Sequence, residues 1–273
     1  MGTTINLNVH NFKHWLGKPA RDFDVLRFDA NNNCNIHCVY CAIQRSSELI
    51  SFDDFRIFLS ESIASAGVFQ FGCQMEPTLD ARLCDFMTAV SQSPAKPKKL
   101  FRLQTNAILL HRHDHGRMLE AGLNFLTVSM DSVDSETFKQ LRGGTSLNKV
   151  YRNIRTFHSA CPSVKIAFIT VVTSANINLV DALIDSGLEA GVRTFNLRQV
   201  AYNPANAVVD HSLMRNLVVS DAAFAEMTER VRTRYDGKAN FCFQDAPKLR
   251  HNAAVVRAES LLPLTPPTSS AAS

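Results

Sequence analysis

The sequence predicts an α/β protein: a partial barrel of six β/α units, a (β/α)6 arrangement, with a small C-terminal cap. Two observations predict it, the alternation of elements and the number of repeated units. Short β-branched or aromatic runs alternate with amphipathic helical stretches between residues 22 and 200. That alternation implies a parallel sheet covered by helices, and right-handed crossovers curl such a sheet toward a barrel. Six units rather than eight leave the barrel open.

The elements follow in order. A first strand at 24–29 runs into a cysteine-rich loop. Ser51-x-x-Asp54 has the form of a capping box and opens a helix with Phe55, Phe58, Leu59 and Ile63 on one face. Val68–Phe71 is a second strand, followed by a helix over 79–92. Leu100–Gln104 is a third strand, with a helix over 114–121, and Asn124–Met130 a fourth. Two helices come next, opened by Asp134 and Ser146. Val164–Val172 is a long fifth strand, Asn176 begins a helix, and Thr194–Val200 is the sixth strand. Residues 201–218 read as irregular, Ser220 caps one more helix, and Ala239–Phe243 is a final short strand. The expected division is an extension over 1–21, the barrel over 22–200, the cap over 201–259 and a disordered tail over 260–273.

Composition sets the outer bounds. The 273 residues are 45% hydrophobic and 20% charged, with 11 glycines and 10 prolines, which excludes a disordered or collagen-like chain. The net charge of +4 is mild and its basic residues scattered, so no nucleic-acid partner is expected. No apolar run is long enough to span a membrane, and the N-terminus lacks the layout of a signal peptide. Seven cysteines, an odd number, point to a reducing compartment such as the cytoplasm rather than to a disulfide framework.

Three of the seven fall within eight residues, Cys34-Asn-Ile-His-Cys38-Val-Tyr-Cys41. Thiolates at this C-x3-C-x2-C spacing converge on an inorganic centre from one loop. A structural zinc site wants a closed set of four ligands, and here only His37 offers itself as the fourth, next to Cys38. A four-iron cube with three cysteines leaves one iron open to an exogenous ligand. A chance cluster of buried cysteines is the third reading.

C-x3-C-x2-C with Tyr40 before its last cysteine resembles the signature of the radical S-adenosylmethionine (SAM) enzymes. In that family SAM chelates the fourth iron of a [4Fe-4S] cluster, and an electron from the cluster cleaves it to methionine and a 5′-deoxyadenosyl radical. The resemblance extends over residues 22–200 and is nearest the molybdenum-cofactor cyclase branch. It implies Cys34, Cys38 and Cys41 as cluster ligands. The segment Gly72-Cys-Gln-Met-Glu76-Pro77 resembles the family's glycine–glycine–glutamate–proline turn, so Gly72, Gln74 and Glu76 are placed at SAM, with Glu76 as a binding group rather than a base. Cys73, Gln74 and Met75 stand where glycines are usual. Thr105-Asn106-Ala107 resembles a threonine–asparagine–glycine turn. Ser129, Asp131, Val172, Asn176 and Arg198, with Tyr40, complete the SAM contacts the resemblance implies, Asp131 toward ribose hydroxyls.

Arg27 and Lys165 match positions that bind nucleotide in the cyclase branch, and two cations in a barrel suit an anionic substrate. Cys242 and Cys73 are the candidate hydrogen donors, as in the family's epimerases. Dispersed remaining cysteines imply a single cluster, unlike the cyclase itself. The short segment before the first strand favours a small-molecule substrate over a ribosomal peptide. A flavodoxin or ferredoxin is the expected reductant. A non-enzymatic iron–sulfur carrier is the alternative class. His111, His113 and His115, and Lys96, Lys98 and Lys99, read as solvated loops.

Overall fold

The computed structural model describes residues 3–144 and 146–246. Eight strands form one sheet: β1 (Thr4–Leu7), β2 (Arg21–Phe28), β3 (Ile63–Phe71), β4 (Pro97–Thr105), β5 (Phe125–Ser129), β6 (Lys165–Val172), β7 (Thr194–Gln199) and β8 (Asn240–Gln244). Their spatial order is their chain order, every neighbouring pair is parallel, and β1 and β8 are the two edges. The helices between them are α1 (Phe52–Glu61), α2 (Leu83–Ser91), α3 (His115–Glu120), α4 (Ser135–Arg142), α5 (Leu147–Ala160), α6 (Val180–Glu189), α7 (His211–Leu217) and α8 (Asp221–Arg234).

The six expected strands are β2 to β7, and the expected final strand is β8, which joins the sheet beside β7. Residues 1–21, read from sequence as an extension, contain β1, paired to β2 from Thr4↔Val25 to Leu7↔Phe28. The period of Ile5 and Leu7 is too short to stand out by itself. Three readings change. Ile63 opens β3 instead of closing α1, because only Ser62 separates the two, and its i+4 spacing from Leu59 imitates a helical stripe. The helix expected over 79–92 is a 3-10 turn, Pro77–Leu79, followed by α2. The stretch 201–218 is not wholly irregular: Asp210 accepts the N–H groups of Ser212 and Leu213 and starts α7. The segment 260–273, expected as a disordered tail, lies outside the described residues.

Local capping follows the sequence closely. Ser51, Asp114, Asp134, Ser146 and Ser220 each accept a main-chain N–H two or three residues into the first turn of a helix. Strand alternation then builds two cores. One side of the sheet carries Leu26, Phe28, Phe69, Phe71, Phe101 and Leu103, all buried beneath the helices. Phe55 of α1 and Phe86 of α2 close on Phe28, with ring centroids 4.5 Å (Phe28–Phe55) and 4.8 Å (Phe55–Phe86) apart. The other side carries Val25, Val68, Leu100, Phe125 and Ala167, a separate apolar cluster in the barrel interior. Two residues further along the strands the same side turns polar, with Arg27, Gln70, Arg102 and Thr127. This switch divides an apolar floor from a polar chamber at the C-terminal strand ends.

Candidate active site

The loop between β2 and α1 has little regular structure, and asparagines hold it in place. Asn31 Nδ2 donates to the Glu76 carbonyl at 3.1 Å, and Glu76 N–H donates to the Asn33 carbonyl at 3.0 Å. Asn32 Nδ2 reaches Ser46 Oγ at 3.0 Å, and Asn33 Oδ1 accepts the Cys34 N–H at 2.8 Å. Short amide side chains that bond to nearby backbone replace a secondary-structure ladder here. They anchor the start of the loop at Cys34; Cys34, Cys38 and Cys41, all free and half-buried, line one wall of a pocket of about 270 Å³.

The opposite wall comes from the turns after β3 and β4. Asp29, at the end of β2, accepts from the N–H groups of Cys73 (2.8 Å), Gln74 (3.0 Å) and Met75 (3.4 Å). This carboxylate shapes the segment in which larger side chains stand at positions usually held by glycine. Gly72 itself has φ +79°, and a Cβ there would lie 2.2 Å from the Gln104 carbonyl oxygen, so only glycine fits. Glu76 is 2% exposed. Its Oε1 accepts from Thr78 N–H (3.0 Å), Thr78 Oγ1 (2.5 Å) and Thr105 Oγ1 (2.6 Å); its Oε2 accepts from Asn106 N–H (2.7 Å). Oε2 thus keeps a lone pair beyond that single donor. Burial raises the Glu76 carboxyl, opposed by these donors. Asn106 Nδ2 bonds to Asn35 Oδ1 at 2.8 Å and approaches the Cys34 sulfur at 3.8 Å.

A third group lies at the end of β5. Ser129, half-buried, lines the pocket. Asp131 is fully committed to protein partners. Oδ2 accepts from the Tyr40 hydroxyl and lies 2.6 Å from Arg142 Nε, while Oδ1 accepts the Val171 N–H at 2.9 Å. Asn176 is equally committed, donating to the Asp131 and Val171 carbonyls and accepting from Thr173. Val172 is wholly buried in the helix-side core. Among the described residues no group of three His, Cys, Asp or Glu side chains sits close enough to hold a single metal ion.

Three thiols, a buried carboxylate and a small polar set therefore meet at the C-terminal ends of parallel strands. The sequence profile of the Radical SAM superfamily matches residues 30–186, more than half of the chain. The chain belongs to the radical SAM superfamily. It is 28% identical to the GTP 3′,8-cyclase 2 of Mycobacterium tuberculosis over 232 residues, which cover 81% of this chain and 60% of the cyclase. A probable GTP 3′,8-cyclase of Sulfurisphaera tokodaii is 26% identical over 65% of this chain and 56% of its own length. The chain thus spans about 60% of the length of these relatives. In structure it resembles Streptococcus suis SuiB bound to S-adenosylmethionine, with a TM-score of 0.61 at 15% identity over 86% of this chain and 53% of SuiB. The partial barrel is the fold they share. Radical SAM enzymes use a [4Fe-4S] cluster and SAM, and the donor set fits that cofactor: three soft sulfur ligands from one loop, with the remaining thiol of the pocket lining, Cys73, on the turn opposite.

The remaining expected residues of this radical SAM chain divide into two groups. Arg27, Cys73, Arg198 and Cys242 lie on the chamber side of the sheet. Arg27 is 5% exposed; its Nη1 donates to Asn6 Oδ1 at 3.2 Å, and its Nη2 is buried without a partner. Arg198 Nε reaches Asn196 Oδ1 at 3.4 Å. Neither arginine forms an ion pair with a described residue. Burial lowers the Arg27 guanidinium from its ordinary value and brings Arg102 and Arg198 down to about 10, with the arginines repelling one another. Burial also pushes the Cys73 thiol up to about 12 and raises Cys242. Lys165 lies elsewhere: it is exposed at the first position of β6, two residues before Ala167 of the apolar floor.

Asp29, Asn31, Asn33 and Arg142 were not assigned site roles from the sequence. The first three only adjoin a motif, whereas Arg142 falls in the stretch Leu141-Arg142-Gly143, which resembles the cyclase branch but carries no assigned role. The histidines at 111, 113 and 115 each hydrogen-bond within the fold, to Asn153 Nδ2, the Thr78 carbonyl and the Leu110 carbonyl. Among the described residues no helix is long and apolar enough to cross a membrane.

Proposed function

We propose that this radical SAM enzyme holds its cluster on Cys34, Cys38 and Cys41 and uses SAM to abstract hydrogen from a small anionic molecule bound in the barrel chamber. The observation that carries the proposal is the single pocket lined by those three cysteines together with Gln74, Glu76, Thr105, Asn106 and Ser129. When bound, the cluster and SAM together supply a carbon-centred radical able to attack an unactivated C–H bond.

The chain's own residues do the rest. Glu76 offers Oε2 to the SAM ammonium, and Ser129 and the Asn106 amide stand beside it. Gly72 and Asp29 keep the turn open for SAM to approach. Tyr40, Asp131 and Asn176 support this wall through their internal bonds, so Asp131 is assigned to holding Arg142 rather than to ribose, and Val172 to core packing.

Arg27 and Arg198 are assigned to the anionic group of the substrate, and Lys165, at the other end of the barrel, is not. The named relatives act on GTP, an anion; an anionic small molecule is the substrate class favoured here. Cys242 and Cys73 remain neutral thiols at neutral pH because burial raises both, and a hydrogen-atom donor must carry its S–H. Donation to a substrate carbon radical leaves a thiyl radical, which one electron from the reductant and one proton return to the thiol. A flavodoxin or ferredoxin in a cytoplasmic setting is the proposed reductant.

The test is anaerobic reconstitution with iron and sulfide, reduction, and addition of SAM. Formation of 5′-deoxyadenosine above a Cys34→Ala control is expected. Its absence from the cluster-loaded protein, with or without candidate anions, overturns the proposal.

A further inference from the structure

The C-terminal end of α4 is docked onto the cysteine loop. The Val39 N–H donates to the Leu141 carbonyl at 3.1 Å. Gly143 ends the helix at φ +68°, and a Cβ there would come within 2.4 Å of the His37 carbonyl oxygen. Between these two contacts Arg142 turns into the protein and is buried. Its guanidinium is held at three points. Nε lies 2.6 Å from Asp131 Oδ2, Nη1 donates to the Cys38 sulfur at 3.6 Å, and the group lies 5.9 Å from the centre of the Tyr40 ring. Asp131 is fixed in turn by the Tyr40 hydroxyl and the Val171 N–H.

This arrangement does more than fill space. A planar group sets Nε against a carboxylate at ion-pair distance while Nη1 donates to a sulfur, which a lysine with its single nitrogen cannot reproduce. A hydrogen bond and a positive charge at a cluster sulfur favour the more negative, reduced state, because local charge and hydrogen bonds to sulfur set iron–sulfur potentials. The neighbouring carboxylate offsets part of that charge in a water-poor setting.

We propose that Arg142 is a positioning residue for the cluster: acting through Cys38 it raises the reduction potential, and Asp131 sets how much of its charge the sulfur feels. The proposal rests on Cys34, Cys38 and Cys41 being the cluster ligands. Arg142 is then one reason the cluster accepts an electron from a biological reductant.

The test is a potentiometric titration of the full-length reconstituted protein, followed by electron paramagnetic resonance, with iron content and far-ultraviolet circular dichroism recorded for each variant. Arg142→Gln is expected to shift the reduction equilibrium at least tenfold toward the oxidised form, which is 59 mV for one electron. Asp131→Asn is expected to shift it in the opposite direction. Arg142→Lys, which keeps the charge but not the fork, is expected to fall between wild type and Arg142→Gln. Unchanged potentials in both Arg142→Gln and Asp131→Asn overturn the proposal. So does a shift of the same sign in both, which would mark a purely structural role. Where Arg142→Gln fails to retain iron, the Asp131→Asn and Arg142→Lys titrations decide the matter. Failure of wild type to retain iron, or full retention by Cys38→Ala, strikes the ligand assignment instead and is read separately from the iron content.

Discussion

Asp29 accepts the main-chain N–H of Cys73 at 2.8 Å, joining the end of β2 to the turn that follows β3. With the Gln74 and Met75 N–H groups on the same carboxylate, one buried side chain determines the path of the turn that leads to Glu76.

Asp29 should also make stability depend on pH. Burial pushes its carboxyl from the ordinary 3.8 up to about 6, against the pull of the three N–H donors. Between those values the folded chain keeps a proton that the unfolded chain has released. The contribution is therefore present in full below about pH 4 and lost as pH rises to about 6, on the order of 3 kcal/mol. Asp29→Asn removes it. The difference in Tm between wild type and Asp29→Asn should change between pH 4 and pH 6 and level off above that range; a constant difference across the interval would refute the assignment.

Gly72→Ala should be severe. An alanine at φ +79° pays the left-handed penalty, about 1–2 kcal/mol, and its Cβ meets the Gln104 carbonyl at 2.2 Å. The two strands must separate to admit it, for a total loss of about 3 kcal/mol or more. Urea denaturation checks this, and a loss below about 1 kcal/mol would show that the turn relaxes freely.

Ala107 presents the reverse case. It is fully buried yet has φ +61°, the one positive φ among the described non-glycine residues. It stands where the family uses glycine. Ala107→Gly relieves about 1–2 kcal/mol of backbone strain while losing a buried methyl, about 0.8 kcal/mol, and adding the chain entropy of glycine. The terms nearly cancel, so the variant should lie within about 0.5 kcal/mol of wild type. Ala167→Gly, in the regular strand β6, has no strain to relieve and should cost about 1 kcal/mol or more. Equal losses in the two variants would contradict the argument.

These particular residues show why parts of the site were legible in the sequence and parts were not. The cysteine spacing, the Glu76 turn and the Thr105-Asn106 turn are local, so a short window holds all of their chemistry. Capping residues such as Ser51 and Asp134 are local for the same reason, and β2 to β7 emerged because hydrophobic periodicity is local too. Arg142 and Asp29 act across 104 and 44 residues of chain, on Cys38 and Cys73 respectively. No window contains both partners, and a buried aspartate at a strand end looks like any turn residue. Asp131, Val172 and Asn176 were placed near SAM by position, and it took their hydrogen bonds and burial to show that they are committed inward. Lys165 shared a strand face with chamber residues, but only its exposure at the first position of β6, two residues before Ala167 of the apolar floor, revealed which end of the barrel it occupies.

Arg27 joins stability to binding. Its Nη2 is buried with no partner, and it forms no ion pair among the described residues, so the protein itself leaves this charge uncompensated. Replacing even a buried ion pair by apolar side chains of similar volume is often neutral or stabilising, by about 1–4 kcal/mol, and a charge without an ion-pair partner has no such attraction to lose. Arg27→Met should therefore raise the Tm of the cluster-free protein. A chamber built for an anion should also respond to one: inorganic phosphate should raise the Tm of wild type, through the usual linkage of binding to unfolding, and do so much less in Arg27→Met or Arg198→Gln. The two effects have opposite signs, higher stability without ligand and a weaker response to it, which a merely structural arginine would not produce. If Arg27→Met lowers the Tm and responds to phosphate as wild type does, then Arg27 is a packing residue and the anion assignment falls with it.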